Sequence, residues 1–339
     1  MILVTGGTGL IGSHLLFELA LTNDHIRAIK RYSSDIQRVL KIFGYYSDTP
    51  EMLFQKIEWV DSSLTDNLSL SGAFNNVDKV YHCAGLVSFS RRIKKELFET
   101  NVNGTSNIIN ICLEKDVKRI CHVSSIASFG EFDGVNQIDE TTRWKPEKKN
   151  SLYSLSKLKA EMEVWRGLAE GLRGIIINPS VVVGPGFWDN GIGTTFKLVS
   201  KGMRFYTLGS TGYVDVRDVA RIMVRLMDSD ITGEQFLVSS ENLTFKAFLE
   251  LVSASLHRKT PYIHANRFLT GLGWRFNALA SVITGKEPII TRDNMRISHK
   301  YCLYSGQKIK DVLGYQYIPI KDSVQFLTDK YLKEVKKPM

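Results

Sequence analysis

Three glycines near the amino terminus constrain the fold of this chain more than any other feature. Gly6, Gly9 and Gly12 follow the β-branched run 2–5 and open a segment with helical periodicity, 10–21. Glycine permits a tight turn between strand and helix, and it lets the backbone approach a pyrophosphate at the positive end of the helix. This context predicts a dinucleotide site. The alternative is a structural turn that binds no ligand.

The first half of the chain alternates strand-like and helix-like segments. Such alternation predicts an α/β fold, in which a doubly wound parallel sheet carries helices on both faces. The further predicted strands are at 25–29, 57–60, 77–83, 119–124 and 174–179, and the further predicted helices are at 33–43, 94–113 and 152–169.

The pattern changes after Pro179, where glycine-rich loop signals replace the regular alternation. We expect a dinucleotide-binding domain over 1–180 and a smaller α+β domain, mainly substrate-binding, over 181–339. The chain is expected to return to the first sheet within 213–240.

Charge and hydropathy limit the partners of the protein. The 44 Lys and Arg residues against 35 Asp and Glu give a formal net charge of +9. The densest basic runs, at 91–95, 145–149 and 333–337, contain no interleaved aromatic residues that could stack on bases, so we expect solvated faces and no nucleic-acid partner. The most apolar segment, 268–283, is interrupted by Arg275 and predicts a helix over a pocket rather than a membrane span. Contact of this helix with a membrane surface is the alternative.

Cysteine and histidine spacing predicts neither a metal site nor a redox pair. No two cysteines form a CxxC motif, and no two of the seven histidines have metal-ligand spacing with a third ligand nearby. Four scattered cysteines fit a reducing compartment, and the strand-like start leaves no room for a signal peptide. We therefore expect a cytoplasmic protein.

A tyrosine and a lysine lie four residues apart, on one face of the predicted helix 152–169. Free tyrosine titrates near ~10, which is too high for efficient proton transfer at neutral pH. The Lys157 ammonium is expected to lower the pKa of Tyr153, which could then exchange a proton with a carbonyl or an alcohol. An ordinary surface pair is the alternative, but the position after the fifth strand favours catalysis.

Two serines end the fifth predicted strand. Ligands of open parallel sheets bind outside the carboxyl ends of the strands. A hydroxyl of Ser124 or Ser125 could hold and polarise the substrate oxygen beside Tyr153. The alternative is a serine that only caps a turn.

The second strand ends in Lys30-Arg31, with no acid to bind a ribose 2′-hydroxyl. Two cations at that position suit a 2′-phosphate. We therefore favour NADP(H) as the cofactor, while NAD(H) remains possible because Asp35 could reach the ribose.

Together these motifs resemble the short-chain dehydrogenase/reductase superfamily. The glycine spacing and the length are similar to its extended branch, the NAD-dependent epimerase/dehydratase family, and in particular to dihydroflavonol-4-reductase-like enzymes. The segments 101–105, 178–185 and 213–220 add to the resemblance. It implies a Rossmann-type doubly wound sheet with a smaller C-terminal α+β domain, and a homodimer formed through the helices 94–113 and 152–169.

The resemblance also implies a role for each matching residue. Ser125 fits the catalytic serine better than Ser124 does, Tyr153 would be the general acid/base, and Lys157 would hold the nicotinamide ribose and tune Tyr153. Arg31 matches the arginine that binds the 2′-phosphate in the reductase-like group. The residues implied to contact the cofactor are Gly6, Thr8, Gly9, Leu10, Ile11, Gly12, Arg31, Cys83, Ala84, Gly85, Tyr153, Lys157, Pro179 and Val182.

Two departures weaken the resemblance to sugar-nucleotide enzymes. Phe129 stands where sugar epimerases commonly have a tyrosine, and 210–213 lacks the arginine that grips a diphosphate in many of them. The leading hypothesis is therefore an NADP(H)-dependent enzyme that reduces a small aldehyde or ketone, or oxidises the alcohol. The alternatives are a nucleotide-sugar epimerase with tightly bound NAD, a non-catalytic dinucleotide sensor and a membrane-associated sterol dehydrogenase.

Overall fold

A computed structural model of the protein describes residues 1–90, 92–130, 137–145, 150–284 and 292–335, without the side chains of 276–284 and 335. Parts of the three basic runs and the last residues of the apolar segment 268–283 lie outside the described side chains.

The strands of the described chain form three sheets. The strands are β1 (Ile2–Thr5), β2 (Ile26–Lys30), β3 (Ile57–Asp61), β4 (Lys79–His82), β5 (Arg119–Val123), β6 (Gly174–Pro179), β7 (Val181–Val183), β8 (Phe205–Tyr206), β9 (Ser210–Asp215), β10 (Glu234–Val238), β11 (Glu241–Thr244) and β12 (Ile263–His264).

The helices cover the large sheet and build the second half. They are α1 (Leu10–Ala20), α2 (Gln37–Phe43), α3 (Pro50–Phe54), α4 (Asn67–Ala73), α5 (Lys94–Phe98), α6 (Gly104–Glu114), α7 (Leu152–Ala169), α8 (Gly191–Ser200), α9 (Val216–Asp228), α10 (Phe245–Ser255), α11 (Arg267–Thr284), α12 (Arg292–Ile297), α13 (Gln307–Leu313) and α14 (Ile320–Val335).

The large sheet has seven strands in the order β10-β6-β5-β4-β1-β2-β3, and every pairing in it is parallel. Strand order reverses between β1 and β4, where Thr5 pairs with His82. A crevice opens outside the carboxyl ends of the strands at such a switch point, and ligands of open α/β sheets bind there. The predicted doubly wound, Rossmann-type fold is confirmed.

Two apolar cores lie on the two faces of this sheet. Successive strand residues point to opposite faces, so Ile175 joins the core with α1 and α9 while Ile176 joins the core with α6. All residues of β5 and β6 are buried, as expected for central strands of a parallel sheet. This burial explains why both strands appear as nearly continuous apolar runs in the sequence.

Two predicted helices differ from the structure. The helix predicted at 33–43 begins only at Gln37, because the Asp35 carboxylate accepts hydrogen bonds from the amides of Gln37 and Arg38 at 3.0 and 3.3 Å. The helix predicted at 94–113 is interrupted by one π-helical turn, Glu99–Asn103, between α5 and α6. Such turns often occur at functional sites.

The second half of the chain forms a smaller layer against the carboxyl ends of the large sheet. Strands β11, β9 and β7 make a three-stranded sheet, and β12 pairs with β8. Helices α8, α10 and α14 enclose an apolar core with this sheet. Strand β10 returns to the large sheet, where Phe236 pairs with Ile177 of β6.

The last helix, α14, is fixed to the first half of the chain by Glu334. Its carboxylate accepts hydrogen bonds from Lys41, Tyr45 and Trp188, the last at 2.7 Å, and the Glu334 side chain is only 14% exposed. Burial is the main cause of the raised pKa of the Tyr45 phenol, and the hydrogen bond to Glu334 raises this pKa further.

We predict that Glu334→Ala lowers the free energy of unfolding by roughly 1–3 kcal/mol, because three donors lose their acceptor. Urea unfolding followed by circular dichroism measures this change. Lys333→Ala, at an exposed position on the same helix, is the control and should change the free energy by less than ~0.5 kcal/mol. Equal values for the two variants would contradict the role of Glu334.

Candidate active site

The glycine turn between β1 and α1 lies at the switch point of the sheet. Gly6 has a φ of +70°, and a Cβ there would lie 2.6 Å from the amide nitrogen of Ala84. A Cβ on Gly12 would lie 2.1 Å from the carbonyl oxygen of Gly6. Gly9 is the N-cap residue of α1 and has no side chain to cap the first amides. The turn therefore presents bare backbone at a helix N-terminus, which fits the pyrophosphate of a dinucleotide.

The segment after β4 borders this turn and the predicted catalytic lysine. Cys83, Ala84 and Gly85 follow the strand, and the amide of Ala84 lies 3.3 Å from the Thr5 hydroxyl. A Cβ on Gly85 would lie 3.7 Å from Lys157 Nζ. Burial raises the pKa of the Cys83 thiol to about 12, so this cysteine is an uncharged wall rather than a nucleophile.

The π-helical turn holds the segment after β4 in place. Asn101 Oδ1 accepts the amide of Leu86 at 2.7 Å, while its Nδ2 donates to the Leu86 carbonyl at 3.0 Å and to Ser156 Oγ at 3.0 Å. The buried side chain of Asn101 thus connects the segment after β4, which borders the crevice, to α7, the helix that carries Tyr153.

A buried histidine braces the same region from within the sheet. His82 bonds to Thr5 Oγ1 at 2.7 Å and to Thr105 Oγ1 at 2.9 Å, and its ring lies 5.1 Å from that of His122. Burial, with a smaller contribution from the charge of Lys157, lowers the pKa of His82 to about 3. Both imidazoles are therefore neutral and structural. In the part of the chain that the structure describes, no three His, Cys, Asp or Glu side chains meet as a metal site would require.

Tyr153 and Lys157 lie on one face of α7, as the spacing predicts, and both are buried. Lys157 Nζ donates to the carbonyl of Val123 at the end of β5, at 2.9 Å. The ring of Tyr153 packs edge-on against Phe89, with the centroids 5.4 Å apart. α7 therefore places Tyr153 and Lys157 near the carboxyl ends of the strands of the large sheet.

Burial raises the pKa of the Tyr153 phenol, and a hydrogen bond from the Ser125 hydroxyl opposes this shift. Our prediction that the Lys157 ammonium lowers the pKa of Tyr153 is therefore wrong. Desolvation of the phenolate outweighs the effect of a charge that is itself directed to the Val123 carbonyl. The Tyr153 phenol is consequently neutral at physiological pH.

The pKa of Lys157 is lowered to about 8, because burial disfavours the ammonium. The carboxylate of Glu161, one turn further along α7, opposes this shift. Since the pKa stays near the physiological range, the lysine retains a positive charge at neutral pH and below.

The two serines after β5 point to different partners. Ser125 lines the cavity with Tyr153, and its Oγ also accepts the amide of Ala127 at 3.1 Å. Ser124 Oγ instead donates to Glu161 Oε2 at 2.7 Å. Ser125 is thus the hydroxyl that a substrate could reach.

The sequence analysis missed Glu161, although its spacing from Tyr153 and Lys157 places it on the same helix face. Its carboxylate accepts hydrogen bonds from Ser124, from Asn178 Nδ2 at 2.9 Å and from Gln235 Nε2 at 2.8 Å. Asn178 Nδ2 also lies 3.2 Å from the carbonyl of Ser125. Glu161 thereby links β5, β6 and β10 behind the site.

A cavity of about 300 Å³ opens in front of Tyr153 and Ser125. Residues from both halves of the chain line it. The sequence analysis also missed the lining residues of the segment 297–304. The wall is mostly apolar and includes Val87, Phe89, Ile126, Val181, Ile297 and Tyr304. Ser180 and Val181 also line it. The contacts of Pro179 and Val182 with the cofactor, which the resemblance implies, remain predictions.

The charged residues at the end of β2 and directly after it differ in their contacts. Lys30 pairs with Asp61 of the neighbouring strand at 2.5 Å, and Asp35 caps α2. Arg31 is exposed at the carboxyl end of β2, and its amide lies 3.2 Å from Ser34 Oγ. Arg31 therefore keeps an exposed side chain at the position where the 2′-group of a cofactor is expected.

Within the described residues, no helix combines the length and the apolar character needed to cross a bilayer.

Comparisons with known proteins agree with this geometry. The profile of the "NAD dependent epimerase/dehydratase family" matches residues 2–239. The chain is 30% identical over 254 residues to "Sterol demethylase protein B" of Methylococcus capsulatus, covering 73% of this chain and 72% of that protein. It is 25% identical over 330 residues to a "Putative dihydroflavonol 4-reductase" of Synechocystis, covering 95% and 91%. The crystal structure of gox2253 superposes with a TM-score of 0.79 at 26% identity, covering 98% of both chains.

We predict that Glu161→Gln lowers the pKa of Lys157 further, because the variant removes the negative charge that opposes desolvation of the ammonium. Titration of the protein labelled with ¹³C at lysine Cε, followed by NMR, measures this pKa directly. Glu163→Gln is the matched control on α7, since Glu163 pairs with Arg166 and Ser106 instead. An unchanged Lys157 pKa in Glu161→Gln would show that the carboxylate does not act on the lysine.

Proposed function

We propose that this chain, which belongs to the NAD dependent epimerase/dehydratase family, is an NADP(H)-dependent reductase of aldehydes or ketones. As a member of that family it is an NAD(P)-dependent oxidoreductase of the extended short-chain dehydrogenase/reductase type. The observation that carries the proposal is a buried, neutral Tyr153 that faces an apolar cavity together with Ser125.

The residues of the site divide the work of carbonyl reduction. The nicotinamide cofactor, when bound, supplies the hydride. Gly6, Gly9 and Gly12 would hold its pyrophosphate, and Lys157 would hold the nicotinamide ribose. The Ser125 hydroxyl binds the carbonyl oxygen of the substrate. Tyr153 gives its proton to that oxygen as the negative charge develops.

The raised pKa of Tyr153 favours reduction over alcohol oxidation. A tyrosine that stays protonated is ready to act as an acid, whereas oxidation needs the phenolate as a base. The alcohol-oxidising direction would therefore require a higher pH. The carbonyl carbon would lie among the apolar side chains of the cavity, which suits an uncharged reacting end.

The proposed preference for NADP(H) rests on Arg31. A guanidinium binds a phosphate through several parallel hydrogen bonds, and a ribose 2′-hydroxyl offers it no charge. The Asp35 carboxylate, which could favour NAD(H), accepts hydrogen bonds from the amides of Gln37 and Arg38 at the start of α2.

The remaining features of the protein are proposed as follows. Residues 1–180 hold the cofactor with the returning strand β10, and 181–339 mainly shape the substrate site. The exposed Met162 and Trp165 of α7 would lie in a homodimer interface, and the protein would act in the cytoplasm.

We predict that Arg31→Ala lowers the preference for NADPH over NADH by roughly tenfold, which corresponds to ~1.4 kcal/mol of binding. The ratio of kcat/KM for the two cofactors measures this effect. Lys201→Ala removes an exposed cation elsewhere and should leave the ratio unchanged. A protein that uses NADH better than NADPH before any substitution would contradict the assignment of Arg31.

We predict that Tyr153→Phe lowers kcat for aldehyde reduction by roughly 100-fold or more, since it removes the proton donor, while NADPH binding persists. Turnover of a series of aldehydes and ketones under NADPH, with calorimetry for NADPH binding, measures both quantities. Tyr262→Phe, at an exposed tyrosine, is the control.

Full activity in Tyr153→Phe would remove the reductase mechanism and would favour a dinucleotide sensor. Near-stoichiometric NAD(H) released from the denatured protein, with no reduction of free carbonyls, would instead support a nucleotide-sugar epimerase. Carbonyl reduction confined to sterol substrates presented on membranes would identify a sterol dehydrogenase.

A further inference from the structure

A second cavity, of about 480 Å³, lies next to the candidate active site between α11 and α12. Lys300 lines both cavities. Ile297, at the end of α12, lines the apolar cavity, and its neighbour Arg296 lines the second one. A single elongated molecule could therefore occupy both. We refer to the second cavity as the basic groove.

The lining of the basic groove is strongly cationic. Arg267 comes from the start of α11, Arg292 and Arg296 come from α12, and Lys300 follows α12. Among the described residues that line the groove, none is acidic. The Asp293 carboxylate lies 3.5 Å from Arg296, on α12 itself.

The positive charge of the groove affects the pKa of a histidine that lines it. His299 Nε2 lies 2.9 Å from Thr270 Oγ1, and the pair spans the two helices. Burial lowers the pKa of His299, and the positive charge of Arg267 lowers it further. A bound anion would act in the opposite direction.

We propose that the basic groove binds a phosphate group of the carbonyl substrate, so that the substrate carries its reacting carbonyl at one end and a phosphate ester at the other. This inference rests on the proposed function, because the apolar cavity must hold the carbonyl.

The side chains of the groove select a phosphate over a single carboxylate. Three guanidinium groups present many N–H donors in fixed planes, and a phosphate has more acceptor oxygens and more charge than a carboxylate. Trp274 adds an apolar wall beside these donors, on which the carbon chain of an ester could pack. The Thr270 hydroxyl supplies a further polar contact.

The same chemistry could come from a phospholipid headgroup. Phe268, Leu269 and Leu272 of α11 are exposed beside the groove, in the pattern of a helix that lies on a membrane surface. The shared lining residue Lys300 favours the soluble ester, since it places the groove directly beside the cavity that Tyr153 and Ser125 line.

Anion binding is tested first without catalysis. Inorganic pyrophosphate is titrated by calorimetry into the full-length protein already saturated with NADP⁺, so that the glycine turn and Arg31 do not contribute to the binding, and the histidine ring signals are followed by NMR. We expect saturable binding and a rise in the pKa of His299. Arg292→Gln and Arg296→Gln should each weaken binding at least tenfold, with unchanged circular dichroism. Arg204→Gln, at an exposed arginine outside the groove, is the matched control and should bind as the wild type does.

The substrate is tested with a matched pair, an aldehyde with a terminal phosphate ester and the same aldehyde with a terminal hydroxyl. We expect kcat/KM with NADPH to be at least tenfold higher for the phosphate ester, and this ratio should fall in Arg292→Gln but not in Arg204→Gln. Equal kcat/KM values for the pair would overturn the proposal.

Other outcomes separate the groove from the proposed function. Absence of pyrophosphate binding, with Tyr153-dependent reduction of neutral aldehydes intact, would overturn the groove alone. Pyrophosphate binding without any carbonyl reduction would overturn the proposed function and leave the anion site. Groove-dependent binding of phosphatidylglycerol vesicles, with no preference between the two aldehydes, would assign the phosphate to a lipid surface and overturn the substrate proposal.

Discussion

The close approach of the β1–α1 turn to the end of β4 is the constraint on which the site depends. A side chain at Gly6 would collide with the backbone of Ala84, and one at Gly12 would collide with the Gly6 carbonyl. The turn can therefore close only with glycine at both positions. His82 fixes the same junction from below, because it bonds to Thr5 of β1 and to Thr105 of α6. These contacts shape the crevice at the switch point, and none of them involves the side chains of Ser125, Tyr153 or Lys157.

Burial, rather than attraction between neighbouring charges, is the main cause of the pKa shifts of Tyr153 and Lys157. Lys157 lies in the interior, where it donates to the Val123 carbonyl, and desolvation lowers its pKa to about 8. Desolvation also acts on Tyr153, in the direction that keeps the phenol neutral. Glu161 lies behind both and accepts hydrogen bonds from Ser124, Asn178 and Gln235. Through the Glu161 carboxylate, this polar network opposes the effect of desolvation on the pKa of Lys157.

The sequence predicts the elements of the first half well, because their apolar periodicity is strong. The helix at 152–169 and the strand at 174–179 are observed with the predicted bounds. The start of α2 and the π-helical turn were missed, since each depends on one local side chain, Asp35 or Asn101, rather than on periodicity. The pKa of Tyr153 was predicted with the wrong sign because spacing reports proximity but not burial. The segment around Lys300 could not be placed, because it reaches the cavity through a long-range backbone pairing, in which the amide of Ser210 donates to the Lys300 carbonyl at 2.8 Å.

Apart from Lys300, which lines both cavities, the candidate active site and the basic groove differ in their cations, and the difference corresponds to their chemistry. The buried site holds a lysine, whose charge is adjustable because its pKa falls when it is desolvated. The basic groove holds arginines, which remain charged at any physiological pH and suit permanent recognition of an anion. Local charge density in the sequence does not reveal the groove, since Arg267 and Arg292 belong to separate helices that only the fold brings together. The positive charge of the chain is therefore also concentrated in a cavity that lies away from its densest basic runs.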